Sequence, residues 1–391
     1  MEIETSYGKI KIYAKTLEDE ALSQITVFAN SVLGENAHIR IMPDAHAGAG
    51  CVIGTTMVIT DKVCPNLVGV DIGCGVDLVK TNVNFKDRLE ELDKVVRKVV
   101  PFGRAHHEGV KTFRDFSKLK CWKEFNREVQ DTALKSLGTL GGGNHFIEAY
   151  EDGYLSVHSG SRNIGYKVAH HYQKMAEREI VLKAKELKEK LMQDVPEKER
   201  ANWWKKNKTE IDTSLAFLMG EDMQHYLHDM NIMQNFAVEN RKSMIDAIVK
   251  AMGGRIEKQI SSTHNYIDMS DKNLIILRKG AISAKKGEEL VIPLNMRDGV
   301  LVCLGKGNED WNYSAPHGAG RLYSRSRAKE IFKLEEYKKS MEGIFSSCVN
   351  VDTIDEAPFC YKDAEEIMEA IEPTVKIKEW LKPLYNFKAS E

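Results

Sequence analysis

Apolar and polar positions alternate with different periods along the chain and divide it into three stretches. The first runs to about residue 160. Residues 9–13, Lys-Ile-Lys-Ile-Tyr, alternate with period two and predict a strand. Residues 17–33 carry apolar side chains at helical spacing, and the β-branched run 52–59 after a Gly-rich turn predicts a strand. Helices are predicted at 85–100 and 122–137. Gly141-Gly142-Gly143 then breaks the pattern ahead of strands at 145–149 and 154–158.

The second stretch, 163–252, is mainly helical. Tyr172, Ala176, Ile180, Ala184, Leu187 and Leu191 recur at spacings of three and four, which predicts a helix with one packed and one solvated face. Pro196 and the polar run 202–208 predict a linker, and helices resume over 215–252. The third stretch opens with β-type runs at 260–269, 274–277, 290–293 and 300–304. It closes with short helices predicted at 326–332, 334–342, 364–370 and 375–381. There is no internal repeat or low-complexity tract. The pattern predicts an α+β fold in which 1–391 forms one catalytic unit, with 163–252 as a helical segment within it.

A formal net charge of −2 argues against a protein that coats nucleic acid through charge alone. It leaves room for local basic clusters, such as Arg321, Arg325 and Arg327. Seven cysteines without a Cys-x-x-Cys pair argue against a disulfide framework and for a reducing, cytoplasmic setting. No signal-peptide pattern opens the chain, and no apolar run suits a membrane span, so no membrane partner is expected.

Candidate chemistry sits at strand ends and turns. In Asp71-Ile72-Gly73-Cys74, a Gly-rich turn can aim a carboxylate and a thiolate the same way, as a mixed O/S ligand pair for Zn²⁺, Co²⁺, Fe or Mn²⁺. His145 follows three glycines and Asn144, a residue suited to orienting a phosphate. His158-Ser159-Gly160-Ser161-Arg162 resembles a phosphate nest with a bidentate guanidinium. His264 is a weaker ligand candidate. His317, in Pro-His317-Gly318-Ala319-Gly320-Arg321, is either a nucleophile or a ligand in a close-fitting loop. Asp44 and His46 stand two apart before another Gly-rich turn. Walker, dinucleotide-fingerprint, His-Glu-x-x-His and Gly-x-Ser-x-Gly motifs are all absent, which leaves metal-assisted phosphoryl or nucleotidyl transfer.

These motifs, in this order, resemble those of the RtcB family of GTP-dependent RNA ligases. The likeness extends through Arg278-Lys279-Gly280, Glu356-Ala357-Pro358 and Tyr361-Lys362-Asp363. It implies β-sheet layers around a central metal and nucleotide cleft with flanking helices. It also implies the joining of RNA 3′-phosphate or 2′,3′-cyclic phosphate ends to 5′-hydroxyl ends, with GTP and two Mn²⁺ ions, and it admits an activating partner protein. By position, Cys74, His158 and His264 would hold one metal and Asp71, Cys74 and His145 the other. His317 would carry GMP, with Asp44 orienting it. Asn144, Glu148, Asn295, Gly318, Ala319, Gly320, Tyr361 and Lys388 would contact the nucleotide, and Arg162 and Arg321 would contact RNA or phosphate. The chain departs from the family pattern at Ala49, where a lysine is common. A second departure is 292–299, where Arg297 and Asp298 bring bulk and charge near the nucleotide. Two other readings use the same residues: a metal-dependent cyclic-phosphate hydrolase or phosphatase that does not ligate, and a non-catalytic RNA-binding partner.

Overall fold

Strand Gly75–Thr81 lies at the centre of the architecture in the computed structural model, which describes residues 1–48, 50–111, 113–193, 195–206 and 212–389. It pairs antiparallel with Ile256–Thr263 on one side and Tyr154–Ser159 on the other. Phe146–Tyr150 and then Pro383–Lys388 extend the same sheet to five strands. Val76 and Leu78 face a three-stranded sheet made by Glu289–Pro293, Val300–Gly305 and Val375–Leu381. Val79, Ile147, Leu155 and Val157 join the core formed with helix Leu89–Val99 and the end of a long helix, Gly220–Ala251. Alternation along each strand therefore fills two apolar layers, one on each face.

A six-stranded sheet carries the N-terminal part, in the order Glu2–Thr5, Gly8–Ile12, Ile39–His46, Ile53–Val58, Ile276–Lys279, Asn265–Asp268. Gly8–Ile12 pairs parallel with Ile39–His46, and the other neighbours are antiparallel. The expected strand 260–269 is split between the two large sheets, with His264 at the crossing. This places His264 where the sheets meet.

Two helices of 32 residues, Arg162–Gln193 and Gly220–Ala251, form the expected helical segment. The first buries Tyr172 and Ala176, but Leu187 and Leu191 farther along the same stripe are exposed. The packed face predicted over the whole stripe therefore ends midway. Helix Arg200–Lys206 covers part of the expected linker 202–208, whose last two residues lie outside those described, as does Ala49. The helix expected over 122–137 is a 3₁₀ turn, Trp122–Glu124, and a helix of eight residues, Arg127–Leu134.

One prediction is reversed. Residues 375–381 form a strand against Val300–Gly305, not a helix. The register shifts opposite Val302 and Cys303, between Ile377 and Glu379. That bulge interrupts the alternation of Val375 and Ile377 and spaces Trp380 and Leu381 like helix positions. No helix among the described residues is long and apolar enough to cross a membrane.

Candidate metal centre and nucleotide cavity

The five-stranded sheet delivers the ligand candidates by register alone. Cys74 precedes Gly75–Thr81, His145 precedes Phe146–Tyr150, and His264 follows Ile256–Thr263. His158, near the end of its own strand, stands opposite both Val76 and Phe146. Four potential ligands therefore emerge at one end of one sheet. The backbone N–H of His264 donates to Cys74 O at 2.8 Å and ties two of them together.

Asp71 completes the cluster from the preceding turn. Gly160 lets it approach, because a Cβ there would lie 2.1–2.3 Å from the Asp71 carboxylate. The Ser161 N–H donates to Asp71 Oδ1 at 3.0 Å. Asp71 Oδ2 lies 3.1 Å from His145 Nε2, and Cys74 Sγ lies 3.5 Å from His145 Nε2 and 3.3 Å from His158 Nε2. His158 and His264 face each other through their Nε2 atoms at 3.4 Å.

The protonation pattern tests whether this cluster suits a cation. Carbonyl oxygens only accept, so His145 Nδ1–H donates to Leu140 O at 2.8 Å and His158 Nδ1–H to Asn144 O at 3.1 Å. When neutral, both rings then direct an Nε2 lone pair into the cluster. Burial, reinforced by neighbouring histidines, holds the His158 and His264 pKa values well below the ordinary range. Burial and the Asp71 charge push the Cys74 thiol well above its usual value. Burial also acts to raise Asp71, but His145, Cys74 and Arg162 beside it together outweigh this and lower it to about 2. A carboxylate, two imidazole lone pairs and a thiol converging in one buried pocket fit a cation, whose binding would displace the thiol proton. Two overlapping sets, Cys74 with His158 and His264, and Asp71 with Cys74 and His145, each bring three donor atoms within 4.8 Å of one another.

The second long helix braces this end, through residues the sequence reading passed over. Asn240 accepts from the N–H groups of Gly138 and Thr139 and donates to Thr139 O, Ser159 Oγ and Gly160 O. Arg241, fully buried, pairs with Asp77 at 2.9 Å and donates to Gly73 O and Ser159 O. The helix thereby fixes the turns carrying Cys74, His145 and His158. A polar Glu-Asn-Arg run inside an apolar helix face is the signal that could have pointed to them.

His317 follows strand Ser314–Pro316, which pairs with Ala281–Ser283 beyond the ligand strands. Its Nδ1–H donates to Asp44 Oδ2 at 2.6 Å, and its backbone N–H reaches the same oxygen at 3.2 Å. In the neutral ring the lone pair is then on Nε2. The His317 ring centroid is 4.8 Å from that of His264. Gly320 lets its loop close on Asp44: its φ is +79°, and a Cβ would lie 2.4 Å from Asp44 O. His46 donates Nδ1–H to Asp44 O at 2.9 Å. Burial, partly offset by that bond, lowers its pKa to about 4.

A cavity of about 630 Å³ opens beside this cluster, lined by His158 and His317 together with Glu148, Tyr361 and Lys388. Glu148 is buried and accepts from Tyr150 OH at 2.6 Å and from Asn386 Nδ2 at 2.5 Å. Burial raises its pKa to about 7 against those bonds. Asn144, Asn295, Gly318, Ala319 and Gly320 also line the cavity. The Asn295 side chain closes its own turn: Oδ1 accepts from Arg297 N and Asp298 N, and Nδ2 donates to Asp298 Oδ2. Arg297 and Asp298 pair with each other at 2.9 Å and do not line the cavity. The bulk expected near the nucleotide is therefore directed elsewhere.

The two arginines assigned to RNA or phosphate are engaged internally. Arg162 Nε donates to Thr139 Oγ1 at 3.1 Å and Nη2 to Gly103 O at 3.3 Å. Arg321, at the cavity wall, donates to Asp355 O, Tyr323 O and Glu356.

The profile of the family described as tRNA-splicing ligase RtcB matches residues 28–389. The RNA-splicing ligase RtcB of Escherichia coli K12 is 29% identical over 379 aligned residues that cover 87% of each chain. The tRNA-splicing ligase RtcB of Nanoarchaeum equitans is 27% identical, over 93% of this chain and 90% of its own. An RtcB homologue of Entamoeba dispar, named RNA-splicing ligase RtcB homolog 2, is 26% identical over 89% and 80%. With its motifs gathered at one sheet end and a family match over nearly its whole length, this chain belongs to the tRNA-splicing ligase RtcB family.

Proposed function

We propose that the protein is an RNA ligase that joins RNA 3′-phosphate or 2′,3′-cyclic phosphate ends to 5′-hydroxyl ends, with GTP as co-substrate. The observation that carries this reading is His317. Its Nδ1 proton is committed to Asp44, which in the neutral ring leaves the lone pair on Nε2, and it stands between a cation-suited cluster and a cavity of nucleotide size.

Residues 1–391 act as one catalytic unit in this reading. Cys74, His158 and His264 would hold one Mn²⁺, and Asp71, Cys74 and His145 a second. When bound, the two ions neutralise phosphate charge and increase the electrophilicity of phosphorus. His317 Nε2 attacks the α-phosphorus of GTP. The P–N bond forms, the bond to the bridging oxygen breaks, and pyrophosphate leaves with the electron pair. Asp44 keeps the proton on Nδ1 and stabilises the positive charge that develops on the ring. An oxygen of the RNA 3′-phosphate then takes GMP from Nε2, which regains its lone pair. The 5′-hydroxyl attacks the activated RNA phosphorus, loses its proton, and expels GMP. A cyclic end must first be opened by water to the 3′-phosphate.

Glu148, Tyr361, Lys388, Asn144, Asn295 and the Gly318–Gly320 loop hold the nucleotide in this scheme. Glu148 as a carboxylate accepts from the N–H edge of guanine. Arg162 serves RNA or phosphate by exchanging its present partners. Arg321 does the same less readily, because its partners are buried. A separate activating protein and a cytoplasmic setting complete the proposal.

Incubation with Mn²⁺ and α-labelled GTP is expected to label the protein, and His317→Ala to abolish the label. RNA with a 2′,3′-cyclic phosphate and a 5′-hydroxyl should yield joined strands. Free 3′-phosphate as the sole product, with no labelled protein under any divalent metal, would favour the hydrolase and sink the ligase.

A further inference from the structure

Four donors on the cavity wall converge on one carboxylate that does not itself line the cavity. Lys388 Nζ donates to Glu356 Oε2 at 2.6 Å and Tyr361 OH to the same oxygen at 2.5 Å. Arg321 Nη1 and Arg325 Nη2 reach Oε1 at 3.1 and 3.2 Å. All four donor residues line the cavity, whereas Glu356 is behind them and 2% exposed. Burial acts to raise its pKa, but Lys388, Arg325 and Arg321 together hold it at about 2, so it is a carboxylate at any working pH.

The donors come from three separate parts of the chain. Lys388 ends the last strand, beside Phe146 in register, two positions from the pairing of Asn386 with Glu148. Tyr361 follows the 3₁₀ turns that carry Glu356 and Pro358. Arg321 closes the His317 loop and forms an antiparallel bridge with Tyr361, while Lys362 N–H donates to Gly320 O at 3.0 Å. One buried carboxylate thus joins the loop bearing His317 to the wall bearing Lys388.

We infer that Glu356 is the positioning residue of the nucleotide site, holding Lys388 and Tyr361 in place for base selection and tying the His317 loop to the same wall. The inference rests on the nucleotide-transfer reading above. Guanine presents acceptors at O6 and N7, whereas adenine carries an amino donor in place of O6. A Lys388 ammonium held by Glu356 rewards that acceptor and leaves an adenine amino group facing a donor. Freed from Glu356, the long lysine side chain turns toward any phosphate, and base discrimination falls.

The test follows the initial rate of His317 labelling against nucleotide concentration, with GTP and ATP in parallel, in the parent, Glu356→Gln and Glu356→Asp. For Glu356→Gln, half-saturating GTP is expected to rise by roughly tenfold and GTP-over-ATP preference to fall by a similar factor, with the maximal rate within about threefold. Glu356→Asp should recover part of both. Unchanged half-saturation and preference, or a loss of maximal rate equal for both nucleotides, would overturn the inference. If Glu356→Gln fails to fold, Tyr361→Phe decides. It keeps the ring but removes one donor, and the same shifts in smaller measure are expected, whereas none would overturn the role. No label in the parent would bring down the ligase reading and this inference together. Label in the parent with unaltered variants brings down only the inference.

Discussion

The metal end of the site and its nucleotide end, centred on Glu356, are built on opposite electrostatic plans. At the nucleotide end every charge near Glu356 has a protein partner at hydrogen-bond distance. At the metal end Cys74, His145, His158 and His264 bring ligand sulfur and nitrogen atoms within 3.3–3.5 Å of their neighbours. The first end is complete as folded, whereas the second offers two sets of ligand atoms to a cation. A self-contained wall can select a small molecule by shape and hydrogen bonds. A cluster of converging acceptors gains its stability only when a cation arrives, so its binding energy is also folding energy.

The Asp44–His317 pair is the exception at the metal end, and breaking it should have the largest effect. Asp44→Asn offers His317 Nδ1 a neutral amide that can present either an acceptor or a donor, so the reactive tautomer is no longer enforced. Loss of the tautomer-setting carboxylate is expected to slow labelling by about 10³–10⁴-fold. Metal content should stay at the parent value, because Asp44 belongs to neither donor set. A parent-like labelling rate in Asp44→Asn would remove the tautomer argument.

Cys74→Ala tests the metal end itself. Cys74 is the only residue common to both donor sets. Its loss should reduce bound Mn²⁺, measured by metal analysis after gel filtration, below the two equivalents expected of the parent. Labelling should fall by at least about 100-fold, since outer-shell changes alone cost 10–100-fold. At Mn²⁺ near 100 times Kd the parent should gain about 3 kcal/mol of stability, read as a rise in melting temperature. Cys74→Ala should lose most of that gain, whereas Glu356→Gln should keep it. An equal Mn²⁺ response in both variants would erase the distinction between the two ends.

Glu148 gives the nucleotide end a dependence on pH. Its folded pKa is raised to about 7, chiefly by burial. A raised carboxyl contributes stability that is fully present below the unfolded value near 4.3 and is lost as pH rises through 7. Glu148→Gln should therefore gain stability relative to the parent between pH 5 and pH 8, by an amount on the order of 3 kcal/mol. Nucleotide binding has the opposite slope, since only the carboxylate accepts two hydrogen bonds from guanine. The GTP affinity of the parent should weaken as pH falls below 7. A flat profile in the parent would show that Glu148 does not contact the base.

The metal end was the more legible of the two in the sequence, for a physical reason. Cys74, His145 and His158 stand beside glycines, because tight turns and close approach are needed where strands deliver ligands to one point. Glu356, Asn240 and Arg241 carry no such mark. A buried carboxylate with three cations reads in one sequence like any surface acid, because burial is a property of the assembled chain. The strand at 375–381 is hidden in the sequence for a related reason: its bulge disguises period two, and only pairing with Val300–Gly305 settles it. The packed half of helix Arg162–Gln193 and its exposed half share one stripe, so the sequence marks the face but not how far the neighbouring layer reaches.

The smallest effect belongs to the segment that departs most from family expectation. Arg297 is half exposed, pairs with Asp298 and does not line the cavity. Asp298 is also held by Asn295, and its backbone oxygen accepts from Trp380 Nε1 at 2.6 Å. The turn keeps its shape through these bonds without the arginine. Removing one partner of an exposed ion pair is worth about 0–1 kcal/mol. Arg297→Ala is therefore expected to leave GTP affinity within about threefold and Mn²⁺ content unchanged. A tenfold change in affinity would mean that Arg297 turns inward when nucleotide binds. The nucleotide end would then also need a ligand to complete it, and the contrast between the two ends would hold only for the empty protein.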